Sequence, residues 1–153
     1  MSTLQDFLAE SALSAAQELE AALLNLPEDK HNWSAGGTAR TAIDMVAEVA
    51  ILNGDTADMI QTRTGMVDFD ADELNQRKAA LCEDWNALKA MLDKNTARVA
   101  DAIRGVPDDE LKTEIPMPWG AMTLTDIIAY PYWNAKYHEG QINFIASILG
   151  NLE

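Results

Sequence analysis

The sequence predicts an all-α fold, an antiparallel four-helix bundle with a long loop before its last helix. Three observations predict it. Long segments repeat apolar residues every three or four positions, proline and glycine punctuate the gaps between them, and no stretch alternates with the period of two that a half-buried strand needs. The 153 residues suit one domain, 1–153, and 48% of them are hydrophobic, too many for a disordered chain.

The first helix is expected from about Thr3 to Leu26, where Leu4, Leu8, Ala12, Ala15, Leu19, Leu23 and Leu26 share a face. Ser2 with Gln5 reads as a capping box, and Pro27 ends the helix by biasing its predecessor away from helical angles. A loop from Glu28 to Gly37 carries His31, Trp33 and the Gly36-Gly37 breaker, with His31 read as a surface residue. The second helix follows from about Thr41 to Arg63 on the stripe Met45, Val49, Leu52, Thr56 and Met59, with Gly65 as its stop. The third is expected as one long helix from Asp72 to Arg104. Its near-heptad row is Leu74, Leu81, Trp85, Leu88, Leu92, Val99 and Ile103, and Gly105 and Pro107 close it. Val106 to Leu124 reads as an irregular connection, of the length that often lies over a cleft. Thr123 with Asp126 forms a capping box for the last helix, Leu124 to Leu149, in which Pro131 predicts a kink or a short preceding turn.

Charge restricts function. The formal charge is -14, from 25 acidic against 11 basic residues. The isoelectric point is near 4.3 and the mean hydropathy -0.16. Such a field repels phosphate backbones and anionic lipid surfaces, so neither nucleic acid nor membrane is an expected partner. No uncharged apolar run reaches the ~20 residues a membrane span needs, and no basic-flanked apolar leader opens the chain; a cytoplasmic protein is expected. The single cysteine, Cys82, allows no internal disulfide and reads as an inert buried thiol.

The last helix holds the most informative positions. Its core-facing row runs Ile127, Pro131, Asn134, His138, Ile142, Ile145 and Leu149, so two stacked hydrogen-bonding side chains occupy apolar slots. Unpartnered burial costs about 1–3 kcal/mol each, so partners are required. Glu48 lies at the edge of the second helix's stripe, beside Leu52 and Met59, whereas Asp44, Asp55 and Asp58 fall further out as a solvated face. Glu48, Asn134 and His138 could hold a divalent cation between facing helices. A buried Glu–His hydrogen bond, with Asn134 on backbone or water, satisfies the same groups without metal. Tyr130, Tyr132, Trp133 and Tyr137 cluster near the pair and, with Trp119, wall a pocket or form core or a subunit interface.

The segment Tyr137-His138-Glu139-Gly140-Gln141-Ile142 before Leu149-Gly150, the stretch Asn32-Trp33-Ser34 through Arg40-Thr41, and Trp119-Gly120 with Thr123-Leu124 together resemble the DinB-like superfamily. That resemblance spans nearly the whole chain. It implies a four-helix fold and a divalent metal held by three histidines, one from the second helix and two, four residues apart, from the last. Carried over, the positions are Glu48, Asn134 and His138, of which only His138 keeps its histidine. Some relatives are thiol-dependent transferases or isomerases whose metal stabilises a thiolate. The resemblance therefore implies a metal-dependent thiol transferase or hydrolase, with Glu48 as ligand or as base, and a low-molecular-weight thiol or other small molecule as its ligand. The alternative is a non-catalytic helical binding protein whose ancestral metal site has degenerated. Homodimerisation is expected from the resemblance and from the continuous stripe of the third helix.

Overall fold

The computed structural model describes residues 3–151. Its helices are α1 (Leu4–Leu24), α2 (Ala42–Thr62), α3 (Ala71–Cys82), α4 (Trp85–Arg104) and α5 (Leu124–Ile148), and a two-stranded ribbon, β1 (Glu114–Ile115) and β2 (Met122–Thr123), precedes α5. The long helices form a ring: α2 and α1 each pack against both α4 and α5, and touch one another little. Sequential helices α1 and α2 thus sit diagonally across the core. Leu19, Leu23, Ile51, Leu88, Leu92, Ile103, Ile127 and Ile142 are fully buried there, each contributing about 1.5–3 kcal/mol of burial. Ala9, Ala12, Ala15, Ala47 and Ala50 are buried too, and their small side chains let the helices approach closely. No helix among the described residues is long and apolar enough to cross a membrane.

The start of α1 is capped one residue later than expected. Ser2 lies outside the described residues; Thr3 is the N-cap, its Oγ1 accepting from the Asp6 amide at 3.0 Å while Asp6 accepts from the Thr3 amide at 3.1 Å. Gln5 has a different task. It is buried, and its Nε2 donates to the Val106 carbonyl (2.9 Å) and to Asp108 (2.8 Å), tying α1 to the chain after α4.

The expected third helix is two helices. Asp84 caps α4 by accepting from the Ala87 amide at 3.1 Å, and Glu83 is the C-cap of α3. The apolar row continues across the break, but its halves differ. Leu88, Leu92, Val99 and Ile103 of α4 are buried in the ring, whereas α3, packed mainly on α2, buries only Lys78 completely. The α4 half of the row is therefore packed inside the bundle.

Gly65 does not stop α2 either. Arg63 is the C-cap, in the left-handed conformation at φ 56°, and its guanidinium binds Glu110 at 2.7 Å. Gly65 is needed for a close approach: a Cβ there would lie 1.7 Å from the Pro116 carbonyl oxygen. The irregular connection also contains the β1–β2 ribbon, pairing Glu114 with Thr123 and Ile115 with Met122. Two-residue strands are too short to show a period in sequence. Thr123 and Asp126 form the expected capping box, and α5 runs unbroken through Pro131, with no separate turn before it. His31 is half-buried, its Nε2 3.1 Å from the Leu26 carbonyl, and braces the α1–α2 loop instead of lying on the surface.

Candidate functional site: a carboxylate–imidazole pair beneath an apolar cavity

Because α2 and α5 are neighbours in the ring, Glu48 meets His138. The His138 Nε2 lies 3.0 Å from Glu48 Oε1, and its Nδ1 lies 2.7 Å from Gln141 Oε1, one turn further along α5. An imidazolium satisfies both contacts as a double donor. A neutral ring donates to Glu48 and accepts at Nδ1 from the Gln141 amide turned about its last torsion.

Two cations complete the surroundings. Arg40, just before α2, binds Glu48 Oε2 at 2.7 Å and Asp44 at 2.6 Å. Lys78 of α3 places its ammonium 3.3 Å from Asp44 and 3.8 Å from Glu48. Lys78 is only 6% exposed, which a lysine tolerates when its charge is paired. Burial pushes the Glu48 carboxyl up, but the His138 hydrogen bond and the charges of Arg40, His138 and Lys78 together hold it below the usual range. Glu48 is therefore an anion at neutral pH, neutralised by built-in cations.

Asn134 is buried on the same face of α5, yet its Nδ2 has no hydrogen-bond partner among the described residues. Of the three expected site residues, the structure thus joins Glu48 to His138 and leaves Asn134 unpaired. Asp44, Asp55 and Asp58, read as a solvated face, are each paired, with Lys78 and Arg40, with Arg77 (3.0 Å) and with Arg98 (2.5 Å) respectively. Arg40 and Lys78 escaped the sequence reading. Arg40 is four and eight residues before Asp44 and Glu48, a helical spacing that signals it; Lys78 carries no such signal, because only the fold of α3 onto α2 brings it in.

Glu48 opens on its other side into a cavity of about 410 Å³. Met59, Met66, Met117 and Met122 line it with Leu52, Leu74 and Ile127, and the aromatic rings of Phe69, Trp119 and Tyr130 close it. Phe69 and Trp119 meet edge to face, with ring centroids 6.2 Å apart, where the loop after α2 faces the turn of the ribbon. The Tyr130 hydroxyl is pushed up to about 12 by burial and by the Glu48 charge, so it remains a donor. Trp133 and Tyr137 continue the cluster from Tyr130, with ring centroids 5.9 Å (Tyr130–Trp133) and 5.3 Å (Trp133–Tyr137) apart. Tyr137 meets the His138 ring edge to face at 5.3 Å, but Trp133 and Tyr137, like Tyr132, are partly exposed outside the cavity. Cys82 is half-buried away from this cavity, and burial with the Asp44 charge pushes its thiol up to about 11, an unreactive state.

The sequence pattern of the DinB superfamily matches residues 12–142. The chain belongs to the DinB superfamily. Among solved structures, this DinB chain is similar to YfiT from Bacillus subtilis, described as a probable metal-dependent hydrolase with an unusual four-helix bundle topology. The identity is 16% and the TM-score 0.78, over 95% of this chain and 87% of that one. It is also similar to a mycothiol-dependent maleylpyruvate isomerase, with 14% identity, a TM-score of 0.71 and 92% of this chain covered; the match spans 61% of that protein. The DinB-like protein YjoA of Bacillus subtilis matches at 12% identity and a TM-score of 0.66, over 95% of this chain and 94% of that one. No curated protein matches the sequence. These structural likenesses establish the fold.

The DinB fold raises the question of a divalent metal, and the residues present do not fit one. Among the described residues no three His, Cys, Asp or Glu side chains converge as a ligand set. One imidazole, one carboxylate and one carboxamide are left, and the imidazole and the carboxylate are bonded to each other. The decisive term is charge. A divalent ion on Glu48 would meet a guanidinium 2.7 Å and an ammonium 3.8 Å from the same carboxylate oxygen. Bound to that carboxylate the ion would sit roughly 4–6 Å from both cations, where charges of +2 and +1 repel by several kcal/mol even at an effective dielectric constant of about 20.

Proposed function

We propose that this DinB-superfamily chain binds a small, largely apolar, uncharged organic molecule in its core, with Glu48 accepting a hydrogen bond from a hydroxyl or amide N–H of that ligand. One observation carries the reading: an apolar cavity of about 410 Å³ ends on a single ionised carboxylate whose charge the protein has already neutralised. A volume of that order suits a small ligand, and thioether and aromatic walls adapt to varied apolar shapes. A cationic ligand gains little, because Arg40 and Lys78 supply the compensating charge. An anionic one is opposed by Glu48 itself. A neutral donor can use the acceptor capacity that His138 and Arg40 leave on the carboxylate. The role is binding without a resident metal, in a bundle whose ancestral ligand positions now hold Glu48, Asn134 and His138.

Calorimetric titration with 2-naphthol and naphthalene tests it. The naphthol is expected to bind about tenfold more tightly, the worth of one hydrogen bond to a charged acceptor, and Glu48→Gln should shrink that preference severalfold. Absence of binding by both compounds sinks the reading. So does a stoichiometric divalent metal in tag-free protein whose removal by a chelator lowers the melting temperature, since such linkage requires metal on the folded state. That second outcome favours the metal-dependent thiol transferase or hydrolase.

A further inference from the structure

Among the described residues, no side chain or backbone group hydrogen-bonds the Tyr130 hydroxyl. The half-buried Tyr130 ring walls the same cavity as Glu48. Glu48 is bonded to His138 and Arg40 and not to Tyr130, yet the hydroxyl lies near enough to feel the charges of both Glu48 and Arg40. A donor and an acceptor thus face one cavity without bonding each other. A buried hydroxyl left this way is costly, and an occupant that accepts from it removes the cost.

The donor is positioned before any ligand arrives. Trp133, one turn along α5, lies against the Tyr130 ring at a centroid distance of 5.9 Å, and itself stacks on Tyr137 at 5.3 Å. A ring braced in this way loses little freedom when its hydroxyl is engaged, so the bond forms at small entropic cost. Away from Glu48, Leu52, Thr56 and Met59 continue the cavity wall on successive turns of α2. At ~1.5 Å per residue that wall is roughly 10 Å long, room for an elongated apolar body behind a polar head.

Chemistry selects the head. A group with only a donor leaves the Tyr130 hydroxyl unpaired, and one with only an acceptor leaves the spare lone pairs of Glu48 unused. A carbonyl flanked by an N–H answers both. A carboxylic acid offers the same pattern, but it ionises at neutral pH and Glu48 then repels it. An amine is protonated there, and Arg40 and Lys78 already supply the charge it would bring. Tyr130 and Glu48 stand apart, so a head with donor and acceptor on separate atoms spans them better than a single hydroxyl.

We propose that Tyr130 is the second polar anchor of the cavity and that the ligand is a neutral carboxamide on an elongated apolar body, its N–H on Glu48 and its carbonyl on Tyr130. This inference rests on the binding role proposed above. Calorimetric titration of the full chain with 2-naphthamide, its methyl-ketone counterpart 2-acetonaphthone and naphthalene tests it. Tyr130→Phe should weaken both carbonyl compounds about tenfold relative to naphthalene, and Glu48→Gln should weaken the amide severalfold relative to the ketone. Infrared spectra read the bond directly: the carbonyl stretch of bound 2-acetonaphthone should lie lower in the wild type than in Tyr130→Phe. If naphthalene and 2-naphthol bind but Tyr130→Phe changes neither the ratios nor the stretch, this inference is overturned and the binding role stands. Binding of none of these compounds overturns both.

Discussion

At Glu48, three groups from three parts of the chain converge on one carboxylate: His138 from α5, Arg40 from before α2 and Lys78 from α3. Together they hold its carboxyl below the usual glutamate range in the folded protein. The stabilisation this provides is complete above the unfolded value and is lost as pH falls through the folded one. Urea unfolding between neutral pH and acid should therefore show stability falling below about pH 4.5, the ordinary glutamate range, and Glu48→Gln should flatten that part of the profile. A wild-type profile identical to the variant's would mean the convergence contributes nothing. Glu48 and His138 were legible because polar residues interrupt apolar rows. Asn134 was legible as a buried position for the same reason, but not the lack of a partner for its Nδ2, which depends on what the helices packed on α5 place opposite it.

At the scale of elements, caps and close approaches decide where helices end. Asp84 separates α3 from α4 by accepting the Ala87 amide, so Asp84→Ala should cost about 1 kcal/mol in chemical denaturation. The seven-residue row runs through this break, which is why periodicity alone joined the two helices. Gly65 holds the loop after α2 against the ribbon turn, and the atom a Cβ would strike is a backbone oxygen with no rotamer to yield. Gly65→Ala should therefore destabilise by about 1–3 kcal/mol. It should also weaken ligand binding, because Met117 and Trp119 on that turn wall the cavity. Binding and stability unchanged by this substitution would contradict the close approach.

On the scale of the molecule, a net charge of -14 repels itself, and the ion pairs of Arg77 with Asp55, Arg98 with Asp58 and Lys136 with Glu18 offset only part of it. Added sodium chloride should raise the melting temperature at neutral pH by screening that repulsion; a decrease would mean the pairs outweigh it. The ring order, with α1 and α2 on the diagonal, makes α5 a neighbour of both. That placement lets one face of α5 hold His138 against α2 while a flanking row, from Trp133 to Ile148, stays exposed beside it.

The sequence by itself determined the all-α class, the main helices, the capping at Thr123 and the two residues that meet at the site, because each follows from period, cap or a polar interruption within one segment. Only the tertiary structure decided that Glu48 is shared by Arg40 and Lys78, that an apolar cavity lies above it, and that the aromatic residues of α5 divide between cavity and surface. Those outcomes depend on which helices become neighbours, and a local pattern of apolar and polar residues does not encode the order of a ring.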